Sequence, residues 1–311
     1  MNRKFTFIVL LILALVWINQ STLSAKTADD LKRMKKRVAV FEFEDKTDHH
    51  ARWWTGQSVG RGMADMLVTS LVKSGKYRVI ERQEIDKIIN EQQLGQSGMV
   101  TAQSAAKVSQ LLGVKIAIIG SVTEFGHQRS DTGGRIKRIG VGISKMAATV
   151  GIDIRFINTS TGEILAAENI RRQKSKKGLS VSTPKFDFRN KNKFDDSLVG
   201  KATREAIEDI MKLLDDKSTA IPWQAKIITV KDNTVFINAG SEAGVQVGDV
   251  FYIYSEGEAL IDPDTGISLG SIESKIGKIE VTNNNLGNGK ASQCIIKEGE
   301  GFKKGDLVRI K

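Results

Sequence analysis

GRGMADMLVTSLVKSGKYRVIERQEIDKIINEQQLGQSG, residues 60–98, reads as a helix, a strand and a second helix in quick succession. Met63, Met66, Leu67, Val68, Leu71 and Val72 fall at the spacing of one helical face, and Gly75 stands where a C-cap belongs. A strand follows over 77–80. Ile85, Ile88, Ile89 and Leu94 then mark an amphipathic helix over about 83–93. Thr101 begins a third helix, with Ala105, Val108, Leu111 and Leu112 inward and Gly113 at its end.

On either side of this stretch the pattern is that of strands. RVAVFEF (37–43) clusters apolar residues as a strand buried on at least one face. KIAIIGSV (115–122) is almost uniformly apolar, as expected of a central strand covered on both sides. The order strand-helix-strand-helix-helix-strand describes a compact α/β core. Two long excursions follow, 126–150 and 168–197, joined by a strand pair over 150–156 and 163–169 through a turn at 159–162. A closing helix over 197–214 carries Val199, Ala202, Ala206, Ile210, Leu213 and Leu214 on one stripe, and 216–222 reads as a linker.

From Trp223 the chain changes to short strands divided by glycine and asparagine turns. AGVQVGDVFY (243–252) and GFKKGDLVRI (301–310) share one pattern, so Gly248-Asp249 and Gly305-Asp306 are expected to be equivalent turns. Further turns are expected at 262–266 and 283–289. The whole is an α+β chain: an α/β core over 37–215, two β-hairpin excursions, and a small all-β barrel over 223–311.

Residues 1–25 hold Arg3 and Lys4, an apolar run over 7–17 and then small residues. The apolar run is shorter than the roughly 20 residues a spanning helix needs, so the segment reads as a secretory signal peptide. Residues 26–36 are a charged leader. The formal net charge is +11, and fifteen Lys or Arg against five Asp or Glu lie between 126 and 193. In a secreted chain such an excess meets anionic lipid or acidic partners, and nucleic acid is a poor match despite the charge. Cys294 is the single cysteine, which excludes an intramolecular disulfide and reads as a buried thiol in a strand.

Nothing in the sequence has the layout of an active site. His49, His50 and His127 are read as loop residues without further ligands at workable spacing, so no metal centre is predicted. Gly56, Gly60 and Gly62 invite a phosphate-loop reading, but the lysine and hydroxyl of that motif are absent, and close packing explains them better. No GxSxG nucleophile turn occurs. No catalytic residue, cofactor or metal is assigned.

ERQ at 81–83, LGQSG at 94–98 and STGEIL at 160–165, with the strand at 37–43, resemble the periplasmic domain of the CsgG family over about 37–215. That family supplies the outer-membrane channel through which bacteria export curli subunits. The resemblance implies a ring homo-oligomer whose two excursions are β-hairpins that join those of neighbouring subunits into one transmembrane barrel. It also implies an exported polypeptide, accessory secretion proteins and no cofactor. Well-known members carry a lipid on a cysteine at the start of the mature chain, whereas the signal segment here has none. The barrel over 223–311 resembles the SH3-like C-terminal domain of FlgT, a flagellar assembly protein.

A spanning strand should show about 9 to 11 residues alternating apolar and polar. In the first excursion Ile139, Val141 and Ile143 alternate with Gly140, Gly142 and Ser144. After a turn expected near Lys145, an apolar phase through Met146, Ala148 and Val150 continues. Ile139, Val141, Ile143 and Val150 are therefore the candidate lipid-facing residues. The second excursion carries Arg171, Arg172, Lys174, Lys176 and Lys177, a candidate contact for an anionic surface, since a cation facing lipid at mid-membrane costs roughly 2 to 4 kcal/mol. Trp53 and Trp54 lie in the loop where the family narrows its channel and are the candidate constriction, although the spacing differs from the family's. Two functional readings follow: a non-enzymatic subunit of an outer-membrane secretion channel, or a soluble periplasmic scaffold for a flagellar, cell-wall or polysaccharide machine.

Overall fold

The computed structural model describes residues 33–47, 58–80, 85–86, 112–136, 139–178, 197–261, 263 and 268–310, with 128–136, 139–145, 177–178, 259 and 268–269 described by backbone alone. The signal segment, Trp53 and Trp54, the helix expected from Thr101 and residues 179–196 lie outside them. So does the helix expected over 83–93, apart from Ile85 and Asp86, which are helical. The chain divides into two compact units, one of Arg37–Ile221 with Ile261–Gly270, the other of Met1–Lys36, Pro222–Leu260 and Ser271–Lys311.

The first unit is built on a mixed sheet. Its strands are β1 (Lys36–Val40), β2 (Glu44–Asp45), β3 (Tyr77–Val79), β4 (Ile116–Ile136), β5 (Ile139–Asn158) and β6 (Ile164–Gly178). They run in the order β3-β1-β4-β5-β6, with β2 also on β4. β1 lies parallel to β4, and β4, β5 and β6 are antiparallel neighbours. Two helices are described, α1 (Val59–Ser74) and α2 (Leu198–Ser218). Both begin on a serine whose hydroxyl accepts a backbone N–H of the first turn, Ser58 from Arg61 and Ser197 from Gly200. α1 ends on Gly75 at φ 67°, a left-handed cap that glycine adopts without strain.

Alternation along the central strands divides their side chains between two apolar layers. Val38, Val40, Ile116 and Ile118 join Met63, Leu67 and Leu71 of α1 and Val199, Ala206 and Ile210 of α2. Ala39, Phe41, Ala117 and Ile119 form the opposite layer with Ile85 and Val114. The run at 115–122 is thus buried on both faces, which is why it lacks polar alternation. The start of β3 and the C-terminal part of α2 are joined by Tyr77, whose hydroxyl donates to Asp215 Oδ1 at 2.7 Å; burial pushes that phenol's pKa up.

Three expectations are corrected here. β5 runs unbroken from Ile139 to Asn158, with Lys145 paired to Ser130, so the hairpin turn lies between Ile136 and Ile139 and not near Lys145. His127 sits in β4 opposite Ala148, not in a loop. α2 continues to Ser218 and Ile221 is buried in the core, so most of the supposed linker belongs to the first unit.

The second unit is a closed barrel of β7 (Ala225–Lys231), β8 (Thr234–Ile237), β9 (Val250–Ile261), β10 (Ser268–Leu286), β11 (Ala291–Gly299) and β12 (Leu307–Arg309), in the order β10-β11-β8-β7-β12-β9. Trp223 stacks on Phe251 at its centre, with ring centroids 5.2 Å apart. Cys294 lies fully buried on β11, and burial pushes its thiol up to about 12. The two Gly-Asp turns match group for group. Gly248 and Gly305 have φ 88° and 96°. Asp249 Oδ2 accepts the Gln246 N–H at 2.7 Å, and Asp306 Oδ2 accepts the Lys303 N–H at 2.8 Å.

The leader is also part of this unit. Met34 is buried in the barrel core, the Lys35 N–H donates to the Ala243 carbonyl at 3.0 Å, and Arg33 grips Asp249 through Nη1 at 3.1 Å and Nη2 at 2.8 Å. Asp249→Ala would remove a turn cap and leave a half-buried guanidinium without its carboxylate. A loss of about 2 to 3 kcal/mol is expected, measured by denaturant unfolding of the full chain.

Candidate functional site

The longest continuous feature of the first unit is the β4–β5 ladder, which starts in the core and leaves it. Register runs from Ile116↔Asn158 to Ile136↔Ile139 with one irregularity, between Val122 and Glu124, where Thr123 is the extra residue of a bulge. Beyond it, from Gly126↔Thr149 to the tip, each arm is about 11 residues, the innermost of which, at Ala148, are still buried in the core.

Inside the unit, Ala148, Val150, Ile152, Ile154 and Phe156 of β5 are buried in the core. Val150, 0 % exposed, is therefore a core residue and not a lipid-facing one. Ile139, Val141 and Ile143 occupy the other phase of the same unbroken strand. The apolar phase of β5 thus changes sides between Ile143 and Met146 with no turn to account for it.

The partner strand divides the same way. Residues directly opposite in an antiparallel pair share a face of the ladder. One face holds the positions Thr132↔Ile143, Gly134↔Val141 and Ile136↔Ile139. The other holds Arg129↔Met146, Asp131↔Ser144, Gly133↔Gly142 and Arg135↔Gly140, so every charged residue of the β4 arm falls in one phase. The uncharged phase is bounded by Lys145 on one side and, in sequence, by Lys137 and Arg138 at the tip. That interval is about 24 Å of strand, somewhat short of a band about 25 Å tall once the strands tilt.

The basic block lies on β6, alongside β5: Arg171 opposite Gly151, Arg172 opposite Val150, Lys174 opposite Ala148, Lys176 opposite Met146 and Lys177 opposite Lys145. Arg171 Nε pairs with Glu124 Oε1 at 2.9 Å, Arg172 with Asp209 and Lys174 with Glu205, the last two acids being on α2. Three of the five cations are thus neutralised within the unit, a pairing across strand and helix that spacing along the chain does not announce. Lys176 and Lys177 stand further out, at the level of Lys145. Among the described residues no helix is long and apolar enough to cross a membrane, and no three His, Cys, Asp or Glu side chains converge.

The family described as "Curli production assembly/transport component CsgG" matches residues 19–243. The proteins of that name from Escherichia coli (strain K12) and Salmonella typhimurium are 26% identical to this chain over 141 residues, which is 42% of this chain and 51% of each of them. The chain thus spans about half the length of the curated relatives it matches. Among solved structures, the hypothetical protein CT253 from Chlamydia trachomatis aligns at a TM-score of 0.39 and 14% identity, covering 60% of this chain and 99% of that one.

Proposed function

The chain belongs to the CsgG family, and from that membership we propose that it is a non-enzymatic subunit of a ring-shaped protein-secretion channel in the bacterial outer membrane. The observation that carries this reading is the change of apolar phase along β5. A strand that packs on a soluble core with one face needs no apolar residues on the other once it has left the core. Ile139, Val141 and Ile143, opposite Ile136, Gly134 and Thr132, are explained if that second face meets lipid.

A single hairpin has open edges whose N–H and C=O groups lipid cannot satisfy, so insertion requires the hairpins of several copies to close into a barrel. Lys145 and Lys177, which share the uncharged phase, then stand at the interface, where anionic headgroups favour them, while Arg171, Arg172 and Lys174 hold β6 to the soluble unit. Trp53 and Trp54, between β2 and α1 in sequence, are proposed as an aromatic collar around an extended exported polypeptide. The C-terminal barrel is an added module, SH3-like in this reading, that recruits an accessory partner. Passage through the ring needs no cofactor.

The ring is testable by size. Protein extracted from outer membranes in mild detergent is expected to form annular particles of many subunits, seen by light scattering and negative-stain microscopy. A uniform monomer in the same extract would contradict the ring.

A further inference from the structure

The charge of the β4–β6 ladder points to the kind of cargo, an inference that rests on the channel reading above. If the uncharged face of the hairpin meets lipid, the opposite face lines the lumen, because a closed barrel has only these two sides. The register assigns that lumen phase residue by residue. From the core outward it contains Arg129↔Met146↔Lys176, then Asp131↔Ser144↔Gly178, then Gly133↔Gly142, then Arg135↔Gly140. Among the described residues, three cationic positions therefore share the phase with one anionic position. Around Arg135 the facing positions are glycines, which bring neither a counter-charge nor a hydrogen-bonding side chain. Lys174 and Arg172, in the same phase nearer the core, are matched by Glu205 and Asp209 and add nothing to the excess. In a ring the surplus is repeated by every subunit, and low-dielectric walls concentrate its field in the lumen.

We propose that this lumen is anion-selective and passes an acidic, unfolded polypeptide, with Arg129 and Arg135 setting the selectivity. Carboxylates spaced along an extended chain would exchange between successive cationic positions instead of being held at one, which is what conduction asks of a lining charge.

The test is the reversal potential of the purified full-length channel in planar bilayers under a potassium chloride gradient. Chloride is expected to permeate about threefold or more over potassium. R129E/R135E is expected to bring the ratio to one or below, and Asp131→Asn, a milder change, to raise it. An unfolded acidic peptide added to one side should block the current at lower concentration than a basic peptide of equal length. A wild-type channel that prefers potassium, or a ratio that neither variant moves, overturns the proposal while leaving the channel intact. Block by an acidic polysaccharide but not by the acidic peptide overturns the choice of a polypeptide cargo. Absence of any conductance overturns the channel reading itself, and this proposal with it.

Discussion

Gly60→Ala is expected to destabilise the first unit by about 3 kcal/mol, lowering its melting temperature by roughly 6 to 12 °C. Alanine within a helix normally gains about 1 kcal/mol over glycine, so intrinsic propensity alone would give the opposite sign. Contact decides the outcome. A Cβ on Gly60 would lie 1.8 Å from the Phe43 carbonyl oxygen and 2.7 Å from its carbon. Both are backbone atoms, which no rotamer change can move, so α1 would have to withdraw from the chain following β1. That shift would open the layer formed by Phe43, Val59 and Met63. Thermal unfolding of the full chain, followed by circular dichroism, measures it. An unchanged or raised melting temperature would mean that the helix start is not held against Phe43, and would reopen a ligand-binding role for the glycines there.

The parts of the fold that sequence made legible are those governed by local rules. The face of α1, its glycine cap and the two-sided burial of 116–119 follow from periodicity and one backbone conformation. The paired Gly-Asp turns were legible for the same reason, since each aspartate caps an amide three residues back. What sequence left hidden involves partners distant along the chain. Arg33 meets Asp249, 216 residues away, and Arg172 and Lys174 find their acids on α2. A charged leader and a basic block look alike whether they are solvated or paired.

The hairpin was misread for a different reason. The apolar phase shifts by one position between Ile143 and Met146, and within a soluble protein such a shift means a turn or a bulge. Here the strand continues and its surroundings change instead. Sequence therefore located the apolar residues of the first excursion but assigned Val150 to the same set as Ile139, Val141 and Ile143. The unbroken register separates them. Of the proposed site, the hairpin positions rest on described backbone, whereas Trp53 and Trp54 rest on the family resemblance alone.

The central claim is that the face carrying Val141 and Ile143 meets lipid, and V141K/I143K addresses it directly. Each lysine at mid-membrane would cost roughly 2 to 4 kcal/mol, repeated in every subunit, which closure of the barrel could not absorb. The soluble core should be unaffected, because Ala148 to Phe156 fill it from the other phase of β5. The measurement is fractionation of outer membranes from the native host followed by a urea wash, with circular dichroism of the purified variant to confirm that it folds. The wild-type chain is expected to stay in the washed membrane and V141K/I143K to appear in the soluble periplasmic fraction, folded. Retention of the variant through urea, or release of the wild type, would contradict a lipid-facing hairpin and leave the family core serving as a soluble scaffold.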